Sequence, residues 1–176
     1  MGRVLGLDIS TTTGAVVASY DYGVGPVLDE AITITGKKGS RGMIRASEIA
    51  GDVLVLMKKW EPLEAVVIEG YGYANRYSLV TLVEIGTVIR YFVLQTLGSY
   101  YEVPPSVLKK FVTGAGNANK NMMMMHVYKR WGWEFKSDDQ ADASGLACMG
   151  LAGLNDISTT KNQRDALDKM VKINCN

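Results

Sequence analysis

Four acidic residues have the types and spacing needed for metal chemistry. Asp8 and Glu69 each end an apolar run, and Asp139 and Asp142 lie three residues apart in the segment DDQADASGLA. Three-residue spacing puts two side chains on the same face of a helix. Carboxylate oxygens suit Mg²⁺ or Mn²⁺ better than Zn²⁺. Two such ions about 4 Å apart would suit phosphodiester hydrolysis, one activating water and the other stabilising the leaving oxygen.

The elements around these acids predict how they would meet. The apolar runs before Asp8 and Glu69 read as strands, and a strand that is apolar throughout is typical of parallel pairing. Both acids would then leave the same sheet edge, where ligands of open α/β sheets bind. Ser137 and Gln140 have capping-box spacing, which predicts a helix that begins at Asp138 and carries the other two acids. Taken singly, each acid also fits a turn, a helix start or a solvated strand end.

The order of predicted elements is β-β-β-α-β-α-β-α. Three closely linked strands followed by alternating helices and strands favour an α/β fold. We expect a five-stranded mixed sheet, a three-strand antiparallel meander plus parallel strands, with helices on both faces. Residues 1–155 would form one domain, and residues 156–176 a polar tail packed on it or trailing from it.

Composition excludes several classes of protein. The chain has 176 residues, 47% of them hydrophobic, enough for one domain with a real core. A net charge of +1 is not that of a strongly basic nucleic-acid binder, although an acidic pocket inside a basic rim gives the same sum. The two cysteines form no metal-spaced cluster and indicate a reducing compartment. With no signal-peptide pattern and no unbroken apolar run of about 18 residues, we expect a cytoplasmic protein without a membrane span.

Four segments together resemble one known family. LGLDISTTTGAVV, AVVIEG, PPSVLKKFVTGAGNANK and DDQADASGLA are similar to the RuvC family of Holliday-junction resolvases, in the family's order and spacing. The resemblance implies a ribonuclease-H-like fold, a homodimer, and symmetric nicking of four-way DNA junctions. It also implies two Mg²⁺ ions per site, with Mn²⁺ as a substitute. Asp8 and Glu69 match the first two acids, and Asp139 and Asp142 the final pair. The divergence suggests a bacteriophage-type member, which would act in the host cytoplasm.

The resemblance extends to basic residues. Lys109 lies five residues before Gly114, as the family's first basic residue does, and Lys120 matches the second. A lysine near the metals can hold the scissile phosphate and offset negative charge in the transition state. The turn that contains Asn117 could offer backbone N–H groups to another phosphate. Lys110 is a further candidate DNA contact, although a Lys109–Lys110 pair is also typical of a solvated helix face.

The loop after Glu69 departs from the family. The family places an aromatic residue three positions on, where it wedges into the junction, and this chain has Gly72 between Tyr71 and Tyr73. Stacking on an unpaired base contributes about 1–3 kcal/mol, so either tyrosine could serve. The departure leaves open whether forks and flaps are cut as well as junctions.

The long helix predicted over residues 75–98 is apolar around most of its circumference. Such a helix is covered on more than one side, and the family builds its dimer with this helix. We expect a seam formed by Leu79, Leu82, Gly86, Ile89 and Val93. The alternative is that these residues all pack inside one monomer.

Two other functions compete with a nuclease. GLDISTTTGAVV also resembles the first phosphate loop of sugar kinases and actin-like ATPases, but those need two related domains, more than 176 residues can form. A non-catalytic DNA-binding scaffold would be favoured by loss of any of the four acids, and all four are present.

Overall fold

One mixed six-stranded sheet with helices on both faces forms the molecule. The computed structural model describes residues 2–72, 76–155, 157 and 159–175. Its elements are β1 (Arg3–Asp8), β2 (Thr12–Asp21), β3 (Gly25–Thr35), α1 (Gly42–Lys59), β4 (Leu63–Glu69), α2 (Arg76–Leu97), β5 (Ser99–Val103), α3 (Pro105–Thr113), α4 (Lys120–Trp131), α5 (Asp138–Leu154), α6 (Lys161–Leu167) and β6 (Val171–Asn174).

The strand order is β3-β2-β1-β4-β5-β6. β1, β2 and β3 form the predicted antiparallel meander, and β4 and β5 continue the sheet in parallel with β1. The sixth strand corrects the prediction of five. β6 pairs antiparallel with β5, but its alternating sequence VKIN contains only two apolar residues, too short a pattern to predict a strand.

The C-terminal segment packs against the rest of the domain. α6 begins with a capping box between Thr160 and Gln163, and Ala166 on its inner side is fully buried. Lys110 on α3 forms an ion pair with Asp165 on α6. The described part of the tail is therefore attached by a strand, a buried side chain and a salt bridge.

The sheet separates two apolar cores. Side chains of a strand alternate between faces, so Val4 and Val67 contact the α3–α4–α5 side, whereas Leu5 and Val66 contact α1 and α2. α5 lies directly on the sheet, and the residues from Ala143 to Ala152 are all buried. That position brings its acidic first turn to the edge of the sheet.

α2 contains a long apolar stretch. Its stretch Leu79–Leu97 has a mean hydropathy of 1.4 and is long and apolar enough to cross a membrane by length and composition alone. Arg90 lies in the middle of this stretch, where it is buried and paired with Glu102. Part of the apolar surface of α2 packs against α1 and β5. Another part forms the exposed face that is described below.

Candidate active site

Two carboxylates meet where neighbouring parallel strands end. Asp8 is the last residue of β1 and Glu69 the last of β4, and the preceding residues Leu7 and Ile68 are paired in register. The two carboxyl side chains are close enough to share a hydrogen bond. The sheet topology thus brings together the first two predicted site residues.

The first turn of α5 is fixed against the same edge. The Ser137 hydroxyl accepts a hydrogen bond from the Gln140 backbone N–H at 3.3 Å, which confirms the predicted N-cap. The Gln140 side chain donates to the Thr33 hydroxyl on β3 at 3.2 Å. A Cβ on Gly14, which pairs with Asp8, would lie 2.1 Å from the carbonyl oxygen of Asp139, so this close approach requires glycine.

The four acids form one electrostatic cluster. Burial, and then the charge of Glu69, raise the pKa of Asp8 well above its ordinary value. Burial and the charge of Glu69 raise the pKa of Asp142 to about 7. Burial also raises the pKa values of Glu69 and Asp139. Because the neighbouring carboxylates disfavour ionisation of Asp8 and Asp142, and burial disfavours ionisation of all four acids, a compensating cation would stabilise the fully charged cluster.

The donor set fits a hard divalent cation. Every candidate ligand is a carboxylate oxygen, the donor that Mg²⁺ and Mn²⁺ prefer. The Oδ1 atom of Asp142 is buried and accepts no hydrogen bond from the part of the chain that the structure describes. Within that same part, no three His, Cys, Asp or Glu side chains already surround a point as a complete ligand set.

Two lysines lie beside the acids. The charge of Lys109 lowers the pKa values of both Glu69 and Asp142 against the effect of burial. Lys120, the first residue of α4, forms an ion pair with Asp138 while most of its side chain stays exposed. Asp138, the first residue of α5, therefore holds Lys120 at the rim of the cluster.

Lys110 does not belong to this group. Its Nζ atom lies 2.9 Å from Asp165 on α6, so its charge is directed to the C-terminal segment. The prediction of Lys110 as a DNA contact missed this pairing because β6 and α6 were not expected. Asn117 is exposed on the turn before α4, whereas Asn119 accepts a hydrogen bond from the Met122 backbone N–H and caps that helix.

Arg90 supports the strand end that carries Glu69, a role that the sequence analysis missed. Its Nη2 atom donates to the Glu69 backbone carbonyl at 2.9 Å, and its Nε atom donates to Glu102 at 3.1 Å. The guanidinium lies 4.3 Å from the centre of the Tyr71 ring, and Tyr71 remains 41% exposed. In the sequence, this role was indicated by the position of Arg90 inside a long apolar helix. Tyr73 lies outside the described residues.

Part of the predicted seam on α2 is buried inside the single chain. Ile89 and Val93 are buried in the core that α2 shares with α1 and the sheet. The side chains of Arg90 and Tyr71 cover Gly86, where they fill the space that a Cβ would need. Leu79 and Leu82 are half-buried. Next to these residues, α2 and Met43 of α1 line a shallow hollow of about 440 Å³ whose surface is mostly apolar. Its α2 residues are Val80, Val83, Glu84, Thr87 and Val88. We call this surface the α2 face.

The chain is similar to proteins of one known family over most of its length. A sequence profile of the crossover junction endodeoxyribonuclease RuvC matches residues 4–149. The chain belongs to the RuvC family. RuvC of Prochlorococcus marinus strain NATL2A is 33% identical over 113 residues, 61% of this chain and 70% of that protein. RuvC of Synechococcus sp. strain WH7803 is 30% identical over 158 residues, 84% of this chain and 97% of that protein.

Solved structures agree on the fold. The structure of T. thermophilus RuvC in complex with a Holliday junction substrate matches with a TM-score of 0.72 at 20% identity, covering 86% of this chain and 98% of that one. The yeast mitochondrial Holliday junction resolvase matches with a TM-score of 0.61 at 14% identity, covering 95% and 80%. The predicted ribonuclease-H-like fold of RuvC is thereby confirmed. As a RuvC-family member, the chain is an endodeoxyribonuclease, and the kinase reading is excluded.

Proposed function

We propose that this RuvC-family nuclease is a divalent-metal-dependent enzyme that resolves four-way DNA junctions in the cytoplasm by paired, symmetric nicks. The observation that carries the proposal is the convergence of Asp8, Glu69 and Asp142 at one sheet edge, with the Oδ1 atom of Asp142 buried and without a hydrogen-bond partner among the described residues. A buried acidic cluster of this kind is costly unless cations compensate it.

Asp8, Glu69, Asp139 and Asp142 are the proposed ligands, for two Mg²⁺ ions or for Mn²⁺ in their place. When bound, these ions supply the Lewis acidity that phosphodiester hydrolysis requires. Asp8 and Glu69 present their carboxylate oxygens to the ions from the ends of β1 and β4. Asp139 and Asp142 close the site from α5, which is itself held by its N-cap and by Gln140.

The lysines and the loop after β4 are the proposed DNA contacts of the site. Lys109 and Lys120 hold the scissile phosphate and offset negative charge as it develops. Asn117 contacts the backbone from the turn before α4. Tyr71 or Tyr73 stacks on bases at the branch point. Lys110 is left out because it pairs with Asp165 on α6 and, unlike Lys109 and Lys120, does not influence the pKa of any of the four acids.

A homodimer would place two such sites on one junction. The α2 face supports this arrangement because it is apolar and exposed, with Val80 64% and Met43 59% accessible in the single chain. A two-fold axis through such a face pairs it with the same face of a second copy. Two sites related by that axis would cut symmetrically placed strands.

Cleavage of a labelled four-way junction tests the proposal. With Mg²⁺, we expect paired nicks by the wild type and none by Asp142→Asn or Glu69→Gln, while junction binding is retained. Asp52→Asn, which neutralises an exposed acid on α1, is the matched control and should cleave normally. Forks and flaps cut as fast as junctions would indicate a broader branched-DNA nuclease. Linear duplex cut at an equal rate would contradict structure selectivity, and binding without cleavage by the wild type would indicate a scaffold.

A further inference from the structure

The connection between β3 and α1 is strongly basic. Four cations, Lys37, Lys38, Arg41 and Arg45, occur within residues 36–45, which we call the basic corner. Lys37, Lys38 and Arg41 are exposed. Glu48 is the neighbouring acid on α1, so the local charge is well above that of the chain as a whole. None of these cations belongs to the active site described above.

The basic corner lies at the same sheet edge as the catalytic acids. Asp8 pairs with Gly14, and Gly14 pairs with Thr33, so Asp8 and Thr33 are level across the meander. β3 continues past this level to Thr35, which pairs with Thr12, and then enters the basic corner. The cations therefore lie beyond the acids, on the side toward which β1 and β4 point.

Hydrogen bonds hold the basic corner in one conformation. The Lys37 backbone N–H donates to the Glu48 carboxylate at 2.9 Å, and this bond is the main reason that the pKa of Glu48 lies below its ordinary value. The Ser40 hydroxyl and backbone N–H both donate to the Lys37 carbonyl, at 2.8 and 3.0 Å. A loop that is already ordered loses less conformational entropy when it binds a ligand.

We propose that the basic corner binds the phosphate backbone of a duplex arm of the DNA substrate. This inference rests on the proposed function, because that function brings DNA to the adjacent acids. The ligand is a row of phosphates, since the side chains are cationic and long and three of them are exposed to solvent. Such contacts position the duplex and carry no sequence information.

The sheet geometry predicts where on the DNA this contact falls. The basic corner is two strands from β1, about 10 Å sideways, and four residues past the level of Asp8, about 13 Å along the strand. The direct separation is therefore about 16 Å. If the duplex axis runs from the acids toward the basic corner, at 3.4 Å per nucleotide along one strand, the contacted phosphates lie about five nucleotides from the scissile phosphate.

The salt dependence of binding measures this contact. Each phosphate neutralised by a cation contributes about 0.9 to the slope of log K against log salt. In EDTA, we expect the triple variant Lys37→Ala/Lys38→Ala/Arg41→Ala to bind a four-way junction with a slope shallower by about 2 to 3. Because these side chains are exposed, the variant should unfold as the wild type does.

A single-charge comparison controls for net charge. Lys38→Ala is compared with Lys58→Ala, which removes an exposed lysine from the last turn of α1, near the opposite edge of the sheet. We expect Lys38→Ala to reduce the slope by about 1 and Lys58→Ala to leave it unchanged. Equal effects of the two variants would overturn the proposal, because the contribution would then come from overall charge.

Neutral phosphates locate the contact on the DNA. A methylphosphonate placed about five nucleotides from the nick should weaken binding of the wild type several-fold and leave binding of the triple variant unchanged. A loss of the same size for both proteins would overturn the proposal. Cleavage in Mg²⁺ separates this result from the proposed function: an inactive wild type contradicts the function, whereas an active wild type with an unaltered slope in the triple variant contradicts only the basic corner.

Discussion

The guanidinium of Arg90 donates a 2.9 Å hydrogen bond to the backbone carbonyl of Glu69. Arg90 comes from the middle of α2 and is 8% exposed, and Glu69 ends β4 at the acidic cluster. The same guanidinium pairs with Glu102 and lies against the Tyr71 ring. One buried side chain thus connects the helix that carries the α2 face to the catalytic strand end and to the loop proposed to contact the branch point.

Arg90 is therefore a positioning residue, and we predict that Arg90→Met weakens the response to metal. Without the guanidinium, the Glu69 carbonyl and Glu102 lose their donor, which costs about 1–3 kcal/mol for a buried group. We expect a smaller Mg²⁺-induced rise in melting temperature and a lower kcat with little change in KM. Arg90→Lys should restore part of the Mg²⁺-induced rise in melting temperature and part of kcat.

Arg130→Met is the matched control for this prediction. Arg130 also donates to a backbone carbonyl, that of Val112, at 2.6 Å, but it lies at the far end of α4. Its loss should lower stability without altering the Mg²⁺-induced shift. If both variants respond to Mg²⁺ as the wild type does, Arg90 has only a structural role.

The close approach at Gly14 predicts a second effect. Alanine there would place a Cβ 2.1 Å from the Asp139 carbonyl, so the backbone of the first turn of α5 must move. We expect Gly14→Ala to lose about 1–3 kcal/mol of unfolding free energy, as in other overpacked sites, and to lose most Mg²⁺-dependent cleavage. Gly51→Ala on α1 meets nothing within 4 Å and should be neutral or slightly stabilising. Full activity of Gly14→Ala would show that Asp139 need not be held in this position.

The acidic cluster predicts how stability depends on pH when EDTA removes divalent ions. The pKa of Asp142 is about 7 in the folded chain against an ordinary 3.8. A raised pKa means that the unfolded chain releases its proton first as pH rises. The stabilising contribution of Asp142 to the free energy of unfolding is therefore fully present below about pH 4 and is lost progressively up to about pH 7.

Asp142→Asn should remove this part of the pH dependence and melt at a higher temperature than the wild type at pH 8 in EDTA. Thermal melts from pH 4 to 8 would measure the difference, with Asp52→Asn as an exposed control. Added Mg²⁺ should raise the melting temperature of the wild type more than that of Asp142→Asn. Identical melting curves for wild type and Asp142→Asn across this range would contradict a buried, mutually repelling cluster.

The α2 face predicts the oligomeric state. We expect the wild type to have twice the chain mass of 19.2 kDa in solution. Val83→Glu places a charge in the apolar hollow and should give monomers, because an interface charge left without a partner is costly. Val55→Glu changes an exposed valine of α1 outside that hollow and should remain a dimer. Light scattering would measure both, and a monomeric wild type would contradict the dimer.

Much of the fold was predictable because its signals are local. The strands that end in Asp8 and Glu69 are short apolar runs, and the start of α5 follows from Ser137 and the residues after it. These patterns need only neighbouring residues, and strand ends of a parallel pair share an edge by topology. The four acids were therefore identifiable before any coordinates, both as a metal-type constellation and by resemblance to a family.

The amino-acid sequence by itself thus determined the order of the elements from β1 to α5, the four acids and the family, but not α6 and β6. Only the tertiary structure decided which side of α2 is buried. Both sides are apolar, and packing against α1 and the sheet determines which of them faces the core. It also decided that Arg90 holds Glu69 and that Lys110 turns to Asp165, since these partners are distant along the chain and leave no periodic signal. Local patterns specify the elements, whereas pairings between distant residues depend on how the elements pack.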